Sequence, residues 1–143
     1  MKKDDINLKD PFPPLLHLTY LLQHLSDEAL SGEVGVGLSQ VRIMSALHSA
    51  VPRSQRFIAG QLSQTEANVS RQLRAMKKQG LVSIVKNKKD GRQRDVTLTS
   101  KGVKKYQKAQ KVLTAQQNHF LRLFSKEESR ALDRALGNLV KGL

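Results

Sequence analysis

Between Arg71 and Lys111 the sequence carries fourteen of its twenty-five Lys and Arg residues, opposed only by Asp90 and Asp95. That stretch nets +12 of a formal total of +13, so everything outside it nets +1. Guanidinium and ammonium groups at this density do one kind of chemistry well: they neutralise and hydrogen-bond the oxygens of a polyanion. The side-chain types change along the stretch. Ala67, Asn68, Ser70, Arg71 and Gln72 combine a small apolar group with amides, a hydroxyl and a guanidinium. These are groups that read base edges, Arg on guanine and Asn or Gln on adenine. Gln64 and Thr65 just before them, and Arg74, Lys77 and Lys78 just after, suit phosphate contacts. Lys88, Lys89, Arg92 and Arg94 then crowd around Asp90-Gly91, a strong hairpin signal. Lys101, Lys104, Lys105, Lys108 and Lys111 recur at helical spacing opposite an apolar stripe and fit a solvated helix face. Of these, only Lys101 and its near neighbours, next to the wing, are good candidates for a phosphate.

Other chemistries find little support. No Ser/His/Asp triad, phosphate-cradling glycine loop or HExxH motif is present, so an enzyme is not expected. The absence of cysteine removes disulfides and thiolate metal sites. His17 and His24 share a helix face, with His48 and His119 elsewhere, but no acidic residue accompanies them at ligand spacing, and neither metal nor cofactor is expected. Single-strand binders need exposed rings for stacking. The basic stretch holds only Tyr106, while Tyr20, Phe57, Phe120 and Phe124 also fall at helical core spacings. Duplex DNA is therefore the preferred partner. No apolar run approaches the roughly 20 residues of a membrane span. The first residues, Met1-Lys2-Lys3-Asp4-Asp5, lack an apolar targeting core, so a cytoplasmic protein is expected.

The elements that must position these groups can be read in order. Residues 1–11 are charged and loose, and Phe12-Pro13-Pro14 opens a helix with the stripe Leu15, Leu18, Leu22, Leu25 and Ala29, fading by Ser31-Gly32. A second helix runs from Leu38 to Ser49, followed by a loop over Val51–Ser54, with Ser54 as the N-cap of a short helix to Leu62. Thr65 to Gln79 forms a longer helix with Ala67, Val69, Leu73 and Met76 inward and Gly80 ending it. Leu81–Lys86 and Val96–Leu98 make a hairpin. Thr99 caps a long helix with the stripe Val103, Tyr106, Gln110, Leu113, Gln117, Phe120 and Phe124. The capping box Ser125-Lys126-Glu127-Glu128 opens a last helix with the stripe Leu132, Leu136, Leu139 and Leu143. The expected class is mainly α with a small β-hairpin, in the order α-α-α-α-β-β-α-α. A short helix, a tight turn, a longer polar-faced helix and a basic hairpin spell a winged helix-turn-helix.

Ile58-Ala59-Gly60-Gln61-Leu62, Val69-Ser70-Arg71-Gln72-Leu73 and Gly80-Leu81-Val82, in this order, resemble the DNA-binding core of the MarR (multiple antibiotic resistance regulator) family. Asp90-Gly91-Arg92 followed by Leu98-Thr99-Ser100-Lys101-Gly102 is similar to that family's D-x-R … L-T-x-x-G wing pattern. Two departures stand out: Arg94 and Asp95 replace apolar strand residues, and Glu66 stands where proline is common.

The resemblance implies one domain over 1–143, with dimerisation helices at 12–31 and 99–143 around a DNA-binding lobe at 38–98. It implies a homodimer acting as a transcriptional repressor on a pseudo-palindromic operator, with recognition helices about 34 Å apart. Arg92 is then the minor-groove residue, braced by an ion pair to Asp90. A small-molecule effector, often phenolic or anionic in such families, would bind between the dimer helices and the lobe, near His17, Tyr20, His24 and Arg42. The competing expectation is a basic architectural protein that binds DNA by charge without reading sequence.

Overall fold

The computed structural model describes residues 14–143, so the expectations for residues 1–13 lie outside the described residues. Its elements are α1 (Pro14–Glu33), α2 (Leu38–Leu47), β1 (Arg53–Ser54), α3 (Gln55–Gln61), α4 (Glu66–Lys78), β2 (Val82–Lys86), β3 (Arg94–Leu98), α5 (Ser100–Leu121) and α6 (Lys126–Gly142). The expected order holds with one addition. Arg53 and Ser54, read from sequence as loop, form an edge strand that pairs antiparallel with β3, giving a three-stranded sheet in the order β1-β3-β2. Two residues beside a proline carry no periodicity, so this strand leaves no sequence signal.

The core lies in the middle of the chain. Leu30, Val34 and Val36 from the end of α1 and its loop meet Val41, Ile43, Met44 and Leu47 of α2. Ile58, Ala59, Val69, Leu73 and Met76 of the helix-turn-helix close on the same cluster, with Leu81, Val82 and Val96 of the sheet and Ala109 of α5. Each fully buried Leu, Ile or Met contributes about 1.5–3 kcal/mol from lost water contact, so the winged helix and its supports form one packed unit.

Local chemistry sets the junctions. The carboxylate of Asp27 accepts the backbone N–H of Leu38 at 2.7 Å, fixing the start of α2 from within α1. α1 runs through Ser31-Gly32 to Glu33, beyond its expected end, and stops at Gly35, whose φ of 73° closes the turn. Between α3 and α4, Ser63 takes a φ of 51°, and Gln64 N–H donates back to the Ala59 carbonyl at 2.9 Å. This left-handed step turns the chain sharply without a glycine. At the end of α4, Gly80 has φ 72°, its N–H donates to Lys77 O at 3.0 Å, and Leu81 N–H donates to Met76 O at 2.9 Å, a Schellman closure.

Gly102 is fixed by a close approach. A Cβ there would lie 2.1 Å from the Leu81 carbonyl oxygen. Thr99 N–H donates to that same oxygen at 3.1 Å, and Thr99 Oγ1 donates to Gly80 O at 2.6 Å. The root of α5 is thus locked onto the end of α4 and the start of β2.

On α5 the buried face is rotated from the expected stripe. Gly102 and Ala109 are buried, with Tyr106, Val112, Leu113 and Gln116 half-buried, whereas Val103, Gln110 and Gln117 are exposed. Small residues at 102 and 109 let the helix backbone approach closely, and counting large apolar side chains misses that face. Ala67, expected inward on α4, is exposed. α6 begins at the predicted capping box, Ser125 accepting from Glu128 N–H and Glu128 from Ser125 N–H, yet buries none of its residues.

Candidate nucleic-acid interface

α4 is anchored on one side by Val69, Leu73 and Met76 and presents Ala67, Arg71, Arg74, Ala75, Lys77 and Lys78 on its exposed side. Thr65 is its N-cap, accepting Asn68 N–H at 3.2 Å. Capping by Thr65 and the carboxylate of Glu66 in the first turn both favour the positive helix N-terminus. Arg71, Arg74, Ala75, Lys77 and Lys78 line an open depression of about 720 Å³.

The polar side chains of α4 do not project independently. Gln64 Oε1 accepts from Asn68 Nδ2 at 3.1 Å and from Gln72 Nε2 at 3.0 Å, and Asn68 Oδ1 accepts from Arg71 Nη2 at 2.8 Å. Gln64, Asn68, Ser70 and Gln72 are half-buried on the flanks, while Arg71 stands fully outward. The Oε1 of Gln72 is buried without a hydrogen-bond partner. The network holds Arg71 from below and leaves most of its five donors free.

The wing is the β2–β3 hairpin, paired without interruption from Val82↔Leu98 to Lys86↔Arg94. Arg94 and Asp95, the departures from the family pattern, are regular strand residues in this register. The tip is wider than a two-residue Asp-Gly turn, and Gly91 does not use its left-handed freedom. Asn87 organises it instead: its N–H donates to Gln93 O at 3.0 Å, and its Oδ1 accepts from Lys89 N–H at 2.8 Å and Asp90 N–H at 2.9 Å. Lys88, Lys89, Asp90, Arg92 and Arg94 are exposed around this turn. The expected ion pair between Asp90 and Arg92 is not formed. Asp90 Oδ1 accepts the backbone N–H of Arg92 at 3.0 Å, which shapes the turn and leaves the guanidinium unbound.

Electrostatically the patch is uncompensated. Among the described residues the one contact within 4.0 Å between a basic and an acidic side chain is His24–Glu28, at 3.3 Å on α1. An acidic residue does therefore stand one helical turn from His24, contrary to the sequence expectation. Two lysines of α5 depart from the solvated-face expectation. Lys101 Nζ donates to Gln79 O at 2.8 Å, and the half-buried Lys105 donates to Val34 O. Each ammonium caps the carbonyl end of another helix, where the helix dipole is negative. Lys104, Lys108 and Lys111 are exposed.

Of the residues grouped for a small-molecule site, His17, Tyr20 and His24 lie on α1 and Arg42 on α2. Arg42 lines a groove of about 330 Å³ between α2 and α5, with Val41, Ser45, Tyr106, Leu113 and Gln117. His17, Tyr20 and His24 are not among its lining residues. Tyr20 and His24 stack on each other along α1, ring centroids 6.2 Å apart. Tyr20, Phe57 and Phe124, assigned core spacings from sequence, are exposed, and the Phe57 ring instead carries the Arg53 guanidinium 4.4 Å from its centroid.

Three residues of this region went unassigned at the sequence level. Asn87 sits in a turn-forming run, and its Asx-turn potential was the available signal. Asp95 was visible only as a departure from pattern. Gly102 belonged to a motif whose physical reason, the contact with Leu81, requires the fold.

A model described as MarR family matches residues 34–93, from Val34 just after α1 to the wing tip. Over that segment the chain is similar to the MarR family. The fold agrees over nearly the whole chain. A MarR-like transcription regulator from Bacillus cereus superposes with a TM-score of 0.81 at 23% identity, covering 90% of this chain and 92% of that one. MepR of Staphylococcus aureus in complex with DNA gives 0.76 at 18% identity, with 90% and 94% covered. The repressor CouR bound to a 23-mer duplex gives 0.78 at 20% identity, with 88% and 89% covered. Among curated proteins none matches the sequence. No described helix is long and apolar enough to cross a membrane. In this winged-helix fold α4 is the second helix of the helix-turn-helix and β2–β3 is the wing.

Proposed function

We propose that the chain is a cytoplasmic transcription regulator that binds double-stranded DNA as a homodimer and represses from a pseudo-palindromic operator. The observation that carries this reading is the uncompensated basic face shared by α4 and the wing, built on a rigid winged helix. Arg71 is the leading base reader, because Asn68 holds its guanidinium outward from a packed helix. Asn68, Ser70 and Gln72 act from the flank of the same helix, and Ala67 offers an apolar contact to a thymine methyl. Gln64 supports this layer, and Thr65, Arg74, Lys77 and Lys78 take phosphates. Arg92 enters the minor groove from the wing, with Lys88, Lys89 and Arg94 adding charge, and Asp90 shaping the turn beneath it. The DNA complexes of MepR and the repressor CouR, at matching folds, support this docking.

Dimerisation is supported by the apolar surface of the terminal helices. Leu15, Leu16 and Leu18 of α1 and Leu132, Leu136, Leu139 and Val140 of α6 are all exposed in the single chain. Effector response is supported by the groove that holds Arg42, whose guanidinium suits an anionic ligand.

Selection of duplexes from a random pool, followed by salt-titrated binding to the selected and to a scrambled duplex, tests the reading. A specificity ratio of about 10³ or more is expected for a regulator. A ratio near one overturns it in favour of an architectural protein that uses charge alone.

A further inference from the structure

Asn87 does more than close the wing tip. While its Oδ1 accepts the N–H groups of Lys89 and Asp90, its Nδ2 donates to both carboxylate oxygens of Asp95, at 3.1 and 2.9 Å. One carboxamide thus joins the turn that carries Lys88, Lys89 and Arg92 to a half-buried residue of the central strand. Asp95 is paired on one side with Val85 of β2 and on the other with Ser54 of β1. Ser54 is in turn the N-cap of α3, accepting Phe57 N–H at 3.1 Å. A continuous path therefore runs from the wing tip through Asn87, Asp95 and Ser54 to the first helix of the helix-turn-helix.

The choice of an acidic residue at 95 needs a reason. A carboxylate inside the most basic part of the chain lowers the field that attracts a polyanion, and among the described residues no Lys or Arg side chain pairs with it within 4.0 Å. Its partner is a neutral amide. A charge-assisted hydrogen bond is stronger and shorter than a neutral one, so the carboxylate fixes the orientation of the Asn87 amide and, through Oδ1, the turn.

Resting on the DNA-binding reading above, we propose that Asn87 and Asp95 are a positioning pair, which holds the basic wing tip in one conformation relative to the helix-turn-helix. Neither residue touches DNA in this assignment. Their contribution is to remove the ordering cost the tip would otherwise meet on binding.

Two substitutions separate positioning from charge. Asn87→Ala leaves the net charge unchanged, and Asp95→Ala raises it by one. If charge alone governs, the first is neutral and the second tightens binding. The pair predicts that both weaken binding to the selected duplex, roughly 5- to 10-fold, comparable to the net loss of one ordinary hydrogen bond. In the DNA-free protein both should also raise amide hydrogen exchange at Lys89 and Asp90, measured by NMR. The exchange reading stands apart from DNA. Wild-type exchange at Lys89 and Asp90 in either variant overturns the pair itself. Lost protection with unchanged or tighter DNA binding overturns its positioning role. If the wild type binds no duplex, the DNA reading fails and takes the positioning role with it. A third variant guards against misfolding. The exchange N87D/D95N keeps the net charge and reverses donor and acceptor, and it should restore protection at both amides.

Discussion

The winged-helix lobe and the terminal helices solve burial in opposite ways. α4 places Val69, Leu73 and Met76 at full burial in the same chain that supplies its basic face. α6 is longer and has a regular leucine stripe, yet none of its residues is buried. The first is a finished structure with an unfinished electrostatic surface, and the second is an unfinished structure. An amphipathic helix takes most of its stability from packing its apolar side, not from intrinsic propensity. A second copy of the chain is the occupant our functional reading assigns to that stripe.

The lobe is the easier of the two to break from inside. Gly102→Ala puts a methyl 2.1 Å from the Leu81 carbonyl oxygen, in backbone that Thr99 already ties to Leu81 and Gly80. Neither side can yield without losing the junction of α4, β2 and α5. We expect at least about 3 kcal/mol of destabilisation, measured by denaturant unfolding. A variant as stable as wild type would mean that the lobe is less tightly built than its core implies.

The terminal helices should break differently. Leu136→Glu combined with Leu139→Glu changes only exposed residues of α6 and removes no intrachain packing of the lobe. We expect a halved mass in light scattering and preserved amide protection in the lobe. Affinity for a two-half-site duplex should fall by on the order of 100-fold, as the second half-site contact is lost. A dimer that survives both charges would place the interface elsewhere and leave the leucine stripe without its assigned occupant.

Within the lobe, α4 and the wing can be separated by smaller effects. Arg71→Ala should cost about 1–3 kcal/mol on the selected duplex, much less on a scrambled one, and so relax specificity. Arg92→Ala should weaken binding with less discrimination and lower the salt slope by about one. Equal losses on both duplexes for Arg71→Ala would demote α4 from reading bases to holding phosphates.

What could be read from the sequence follows the same division. Helices with large apolar residues at regular spacing, α2, α4 and α6, were legible because their periodicity encodes a face. Caps at Ser54, Thr99 and Ser125 were legible because capping is local chemistry, whereas Thr65, read as the first helical residue, is the N-cap of α4. β1 was not, since two residues owe their strand state to β3 across the fold. The buried side of α5 was misread because Gly102 and Ala109 pack by being small. Lys101 and Lys105 looked like solvated charges because the carbonyls they cap, Gln79 and Val34, are 22 and 71 residues away in sequence. The residues of the basic face were legible by type. Their mutual support was not, since the bonds from Gln64 to Gln72 and from Asn87 to Asp95 each span eight residues and need the backbone first.

The smallest expected effect concerns how α6 holds its shape before it is covered. Its first turn is fixed by Ser125 and Glu128, and hydrogen bonding from the Ser125 backbone, then from its side chain, holds the Glu128 carboxyl below its usual pKa. A lowered folded value means the carboxylate form favours the helix. That stabilisation is complete above the unfolded glutamate pKa and is lost as pH falls through the depressed folded value. Glu128→Gln keeps an acceptor for the Ser125 N–H but removes the titration, so it should flatten the acid loss of helix signal relative to wild type. The difference should be small, because Glu128 is exposed and water screens its charge. It should be larger in the Leu136→Glu, Leu139→Glu background, where no partner packing shelters the helix. An equal difference in both backgrounds would mean that α6 is held by its own chain as firmly as the lobe is, and the contrast between the two regions would fall.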